Sequence, residues 1–131
     1  MNEKEAVSLE IHESAEMYLE TILILNRKNP PVRSVDVAVE LDYKKSSVSV
    51  AMKNLRENKY IDMNEEGYIT LTEKGNRIAE TIYERHTLIS DWLIRLGVSE
   101  ATAVEDACRI EHVISTDSFQ AVKQYVQSHG E

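Results

Sequence analysis

Residues 34–71 read SVDVAVELDYKKSSVSVAMKNLRENKYIDMNEEGYITL, and this stretch decides the fold. Ser34 offers an N-cap for a two-turn helix from Val35 to Leu41, with Val35, Val37, Ala38 and Leu41 as its apolar positions. Asp42-Tyr43-Lys44 breaks the pattern. Ser46 or Ser47 can then cap a second helix that ends near Asn58, with Val48, Val50, Ala51, Met52 and Leu55 supplying its buried side. Two short helices joined by about three or four residues make a helix-turn-helix. Tyr60-Ile61-Asp62-Met63 and Tyr68-Ile69-Thr70-Leu71 alternate and are β-rich, and Asn64-Glu65-Glu66-Gly67 between them is a turn. That hairpin is the wing of a winged helix.

Upstream, apolar residues including Met17, Leu19, Ile22, Leu23 and Leu25 recur at helical spacing, which predicts a first helix from about Ser14 to Asn29, ended by Pro30-Pro31. Downstream, Thr72 reads as the N-cap of a long helix from Glu73 to Leu96, with Ile78, Ile82, His86, Ile89, Leu93 and Leu96 in one stripe and Gly97 as its stop. Ser99 or Thr102 opens a helix through Ser115, and Asp117 or Ser118 opens a last one to about Ser128. Four Gly and two Pro in 131 residues leave little turn chemistry for an all-β fold, so the chain reads as mainly α.

Composition narrows the class further. With 42% hydrophobic and 29% charged residues the chain is globular rather than disordered. No apolar run approaches the ~18 residues that cross a bilayer, so no membrane role is expected. The acidic N-terminus argues against a secretion signal. A single cysteine, Cys108, excludes an internal disulfide framework and suits a reducing cytoplasm. The net charge of −8 would argue against nucleic acid, yet it is unevenly spread. From Arg27 to Tyr60 eight bases face four acids, leaving +4, while the rest carries seven bases and nineteen acids, leaving −12. A basic segment inside an acidic protein is what a DNA-reading lobe joined to a cation-binding lobe would show.

Lys44, Lys45, Ser46, Ser47 and Ser49 sit at the N-terminal end of the second short helix, with Lys53 and Arg56 beyond them. Small hydrogen-bonding residues can approach a groove closely, and the cations can reach phosphates. The alternative for each serine is plain capping. The turn Asn64-Glu65-Glu66-Gly67 is acidic, so the wing should touch little phosphate. A second constellation lies far downstream. Cys108, Glu111 and His112 fall at i, i+3 and i+4, so a thiol, a carboxylate and an imidazole share one helix face and make a chelating set. The competing reading is an exposed glutamate between two packed residues.

Ala107-Cys108-Arg109-Ile110-Glu111-His112-Val113-Ile114-Ser115, together with Glu16-Met17-Tyr18-Leu19 and Tyr83-Glu84-Arg85-His86, resembles the diphtheria-toxin-repressor family of metal-dependent transcriptional repressors. The likeness runs from about Ser14 to Ser118. It implies a winged helix-turn-helix DNA-binding domain over residues 1–72 and an all-helical dimerisation and metal-binding domain over 73–131. It also implies a homodimer on a palindromic operator in double-stranded DNA. By position it implies a primary co-repressor site of Met17, Cys108, Glu111 and His112. A second site would draw on His86 and Glu20, with Glu105 a weaker candidate beside Val104.

The length resembles the short manganese-sensing branch of that family, but the sulfur ligands resemble the iron-sensing branch. Soft sulfur favours Fe(II), Co(II), Ni(II) or Zn(II) over Mn(II), so Fe(II) is the expected co-repressor, with Mn(II) left open. Two rivals remain: a winged-helix regulator sensing an organic ligand, and a metal-dependent enzyme. For the latter the chain offers no Gly-rich phosphate loop and no nucleophile elbow.

Overall fold

The computed structural model describes residues 3–129, with side chains from Glu13 onward. Six helices and one two-stranded sheet are present among the described residues. Helix α1 spans Glu3–Lys28 and so begins well upstream of Ser14. Its first turns, EKEAVSLEIH, hold three Glu and no Gly or Pro, so propensity gives the helix no reason to start later.

Helix α2 (Ser34–Leu41) and helix α3 (Lys45–Glu57) form the expected pair, with their starts shifted. Ser34 is not the cap of α2. That position belongs to Arg33, whose backbone N–H is bound by the Asp36 carboxylate at 2.8 Å. Nor does Ser46 or Ser47 cap α3, because Lys44 is the N-cap and both serines lie inside the helix. Between the helices Asp42 takes a left-handed conformation (φ 56°), and the Tyr43 N–H returns to the Ala38 carbonyl at 3.0 Å. Val48, Met52 and Leu55 are buried on α3, whereas Val50 is 60% exposed. Val50 lies two residues from Val48, about 200° round the helix, so the phase that buries Val48 turns Val50 to solvent. Val35 on α2 is likewise exposed rather than core.

Strands β1 (Ile61–Met63) and β2 (Ile69–Leu71) pair antiparallel, with Ile61 opposite Leu71 and Met63 opposite Ile69. The wing turn is built on Asn64, whose Oδ1 accepts from the N–H groups of Glu66 and Tyr68, and Gly67 supplies the positive φ of 82°. The Arg33 guanidinium lies over the Tyr68 ring at 4.7 Å. Ile69 also bonds to Val32 (N to O 2.7 Å), which draws the segment before α2 onto the hairpin.

Helix α4 (Glu73–Arg95) starts at Thr72, whose hydroxyl accepts from the Gly75 N–H at 3.1 Å. It stops as expected at Gly97 (φ 104°), where the Gly97 and Val98 N–H groups satisfy the Ile94 and Leu93 carbonyls. Helix α5 (Glu100–Ile110) is capped by Ser99, and helix α6 runs Thr116–His129. The α5 helix therefore ends five residues before Ser115, leaving Glu111 as its C-cap and His112 in the following turn. Arg85 accounts for that end: its guanidinium donates to the carbonyls of Glu111 (3.2 Å) and Ile114 (3.0 Å), groups that a continuing helix would bond internally.

The chain divides into two compact units, residues up to Glu80 and residues from Thr81. The first has a core of Leu19, Ile22 and Leu23 from α1, Val37 and Ala38 from α2, Val48, Met52 and Leu55 from α3, and Ile61 and Ile69 from the hairpin. Each large member contributes about 1.5–3 kcal/mol by leaving water. The second unit centres on Ile89, Ala107 and Phe119, with Leu88, Leu93, Ile110 and Ile114 packed against them. Near the end of α4, Trp92 and Leu93 are half-buried and Leu96 is exposed. No described helix is long and apolar enough to cross a membrane.

Candidate functional site

The candidate nucleic-acid face lies on α3 in the first unit. Its inner side is fixed by Val48, Met52 and Leu55, so α3 must present Lys45, Ser46, Ser47, Ser49, Lys53 and Arg56 outward, and all are exposed, as is the N-cap Lys44. Elsewhere four cations are neutralised by ion pairs: Arg27 with Glu80, Arg77 with Glu73, Arg109 with Glu105 and Lys123 with Glu84. Among the described residues Lys44, Lys45, Lys53 and Arg56 form no ion pair. The first turn of α3 carries no acid and no side-chain cap, so its free N–H groups add to the positive field. The wing turn carries Glu65 and Glu66, consistent with its minor part in the basic surface.

Directly before α3, Tyr43 sends its hydroxyl to the Met17 sulfur of α1 at 3.7 Å and meets the Tyr18 ring edge-on at 6.3 Å. Burial, and secondarily Tyr43, raises the Tyr18 phenol above its ordinary range, so it stays neutral. Met17 and Glu20 lie one turn apart on α1, and Glu20 is buried.

The metal-ligating groups of the second unit converge on Glu111, which is 1% exposed. Its two oxygens face different partners: Oε2 lies 2.9 Å from His86 Nδ1, and Oε1 lies 3.3 Å from His112 Nε2. Cys108 Sγ stands 3.7 Å from the same His86 nitrogen. His86, Cys108 and Glu111 thus bring their ligand atoms within 4.8 Å of one another. Cys108, Glu111 and His112 do not form such a set among the described residues, although the spacing suggested it. His112 sits in the turn beyond α5 and faces the other oxygen of Glu111, while His86 arrives from α4. Glu105 is not part of the set either, and its exposed carboxylate goes to Arg109 at 2.8 Å.

A thiol, an imidazole and a buried carboxylate facing one point fit a divalent transition ion. A buried carboxylate is costly unless its charge is compensated, and a cation here would compensate it. Arg85, which sequence reasoning missed as a functional residue, braces the centre: it holds the Glu111 carbonyl, reaches Thr116 at 3.4 Å and lies over the Phe119 ring at 5.5 Å. Ser90, one turn beyond His86, closes its hydroxyl onto the His86 carbonyl at 2.8 Å.

Two domain families match the chain: the iron dependent repressor N-terminal DNA binding domain over residues 10–69, and the iron dependent repressor metal binding and dimerisation domain over residues 72–130. The chain belongs to the iron-dependent repressor family. It is a metal-dependent transcriptional regulator with a DNA-binding and a metal-binding domain, and not an enzyme.

Among its relatives, an uncharacterised helix-turn-helix transcriptional regulator of Methanocaldococcus jannaschii is 35% identical over 117 residues, covering 88% of this chain and 94% of that one. The transcriptional regulator MntR of Shouchella clausii is 32% identical over 114 residues, covering 87% and 80%. A manganese-dependent transcriptional repressor solved in complex with manganese has the same fold, with a TM-score of 0.79 and 24% identity. That match covers 86% of this chain but 52% of the solved one, so the chain spans about half the length of that repressor. The metal-binding domain decides for metal sensing over an organic effector.

Proposed function

We propose that the chain is a homodimeric repressor that binds a palindromic operator when a divalent ion, Fe(II) first among them, is held on Glu111. One carboxylate oxygen serves the side of His86 and Cys108, and the other serves His112. Met17 and Glu20 supply donors from α1. The observation that carries this reading is the buried Glu111 carboxylate with an imidazole on each oxygen and the Cys108 thiol beside one of them. Bound there, the ion supplies positive charge and a fixed coordination geometry.

The residues do the rest. Donors on α1 and donors on the second unit, drawn to one ion, couple the two units and narrow the positions open to α3 in each protomer. A dimer must present two recognition helices about 34–36 Å apart, so narrowing that spread raises operator affinity. The ion also offsets part of the acidic charge outside the basic segment.

The iron assignment rests on sulfur, since Cys108 and Met17 are soft donors that Mn(II) disfavours. Relatives named for manganese make Mn(II) the second reading. The test is a titration of an operator recovered by in vitro selection with Fe(II) under anaerobic conditions, Mn(II), Co(II) and Zn(II), on wild type and Cys108→Ala. The expected result is metal-dependent binding by wild type, with Fe(II) active at lower concentration than Mn(II), and a reversal of that order in Cys108→Ala. Binding that ignores metal in both proteins overturns the co-repressor reading. Activation by Mn(II) well below the Fe(II) concentration overturns the iron assignment.

A further inference from the structure

Helix α3 exposes one large apolar side chain, and it stands in the middle of the basic face. Val50 is 60% exposed, while Val48, Met52 and Leu55 are 0%, 0% and 6% exposed on the opposite side. The core therefore does not require it. Residues three and four positions away share its face, and these are Ser46, Ser47, Lys53 and Asn54, all exposed. The two serines toward the N-terminus are short, so a branched side chain at position 50 projects beyond them.

The occupant of this face follows from charge. Lys44, Lys45, Lys53 and Arg56 flank it without ion-pair partners among the described residues, and α3 carries no acid before Glu57. Such a frame suits a polyanion, and the segment lies in the matched DNA-binding domain. A recognition helix in the major groove meets base edges that are hydrogen-bonding almost throughout. The apolar exception is the C5-methyl group of thymine. Valine has no donor or acceptor, so setting it against guanine, cytosine or adenine edges would strip their water and return nothing. Set against a thymine methyl, it removes apolar surface from water on both sides. Val39 is also exposed, at 73%, but it lies on α2, which in a helix-turn-helix crosses the backbone rather than entering the groove.

We infer that Val50 reads thymine: its two methyl groups pack on a thymine C5-methyl in the major groove, and each half of the operator requires thymine at that position. The inference rests on the DNA-reading role of α3 and adds which base is selected and by what chemistry.

The test separates the two. An operator is selected from random duplexes with the Co(II)-loaded wild-type protein, and each thymine in a half-site is then replaced by deoxyuridine, which removes only the methyl group. One position should weaken wild-type binding by roughly three- to tenfold per half-site, the effect of removing one buried methyl group. Val50→Ala keeps a strong helix former at an exposed position, so α3 should remain intact. In that variant the same deoxyuridine should change affinity by less than about 1.5-fold, and selection with it should no longer recover thymine there. Val39→Ala should leave the deoxyuridine response as in wild type.

Wild-type affinity unchanged by deoxyuridine at every position overturns the inference while leaving DNA binding standing. An equal loss in wild type and Val50→Ala, or abolition of the response by Val39→Ala, also overturns it. A wild-type protein that binds no duplex with Co(II), Fe(II) or Mn(II) overturns both the inference and the reading beneath it.

Discussion

Gly75→Ala sets two effects of opposite sign against each other at one atom. In a helix interior, alanine in place of glycine should stabilise by about 0.5–1 kcal/mol, because the unfolded chain loses less entropy on folding. Position 75 lies in the first turn of α4, where a Cβ would fall 2.1 Å from the Tyr60 carbonyl oxygen, while ordinary contact begins at 3.4 Å. The obstacle is main chain, which cannot rotate away. Relief requires the backbone at Tyr60 to withdraw by more than an ångström. That carbonyl accepts the Thr72 N–H at 3.1 Å and lies 3.0 Å from the Thr72 hydroxyl, which also reaches the Lys59 carbonyl at 2.8 Å, and these contacts tie the start of the hairpin to the start of α4.

Each of those hydrogen bonds is worth about 0.5–1.5 kcal/mol, and overpacking strain adds about 1–3 kcal/mol. After subtracting the helix gain, the net is a destabilisation of about 3 kcal/mol. In urea, with a slope of about 2 kcal/mol per molar, the unfolding midpoint should fall by about 1.5 M. Far-UV circular dichroism of wild type, Gly75→Ala and Gly67→Ala measures it. Gly67 is the control: its φ of +82° is unfavourable to a side chain, but nothing lies within 4 Å, so it should lose about 1–2 kcal/mol from conformation alone. A Gly75→Ala protein as stable as wild type, or less affected than Gly67→Ala, would refute the close approach at Tyr60.

Other consequences can be checked by simpler means. Arg85→Ala should lower stability by about 2–4 kcal/mol by leaving the carbonyls at the end of α5 without their donor, and Arg85→Lys should recover only part of it, because one ammonium cannot reproduce the fork to Glu111 and Ile114; thermal unfolding measures both. Met17→Leu should leave metal-induced thermal stabilisation largely in place, since His86, Cys108 and Glu111 remain, but should sharply reduce metal-dependent operator binding; calorimetry beside a binding titration would show the split. Lys44→Ala and Lys53→Ala should each weaken binding to all duplexes alike and lower the slope of log affinity against log salt by about 0.9 for each phosphate that is no longer neutralised.

The winged helix was legible because its signals are local. Asn64 and Gly67 mark the wing turn, Thr72 and Gly97 mark the limits of α4, and the apolar spacing places α2 and α3. The starts of α2 and α3 differ from the reading for one reason: serines are credited with capping because they can cap, whereas Asp36 binds the Arg33 N–H and Lys44 stands at the cap of α3. Val50 was counted by polarity rather than phase. Val48, Met52 and Leu55, at intervals of four and three, already fix which side of α3 faces inward, and position 50 is not on it. Gly75 could not be read at all, because nothing near it in sequence announces a carbonyl fifteen positions earlier.

The metal centre divides along the same line. Spacing along one helix brings Cys108, Glu111 and His112 together, but it carries no signal for His86 on α4. Contact between α4 and the turn after α5 gives the nearer place to His86, at 2.9 Å against 3.3 Å for His112. The consequence is functional. Three donors of different softness, His86, Cys108 and Glu111, come from the second unit alone, so this unit can gain an ion without any contribution from α1. Under the proposed function, ion capture and DNA control would then be separable steps, the first at the Glu111 centre and the second through what α1 adds from Met17 and Glu20. Tyr43 places the second step next to the output: its hydroxyl rests on the Met17 sulfur, and its backbone leads directly into the N-cap of the recognition helix. Under that proposal, a change at that sulfur would be felt one residue from Lys44, and the α1 donors would be the point where occupancy becomes a change in how α3 is presented to DNA.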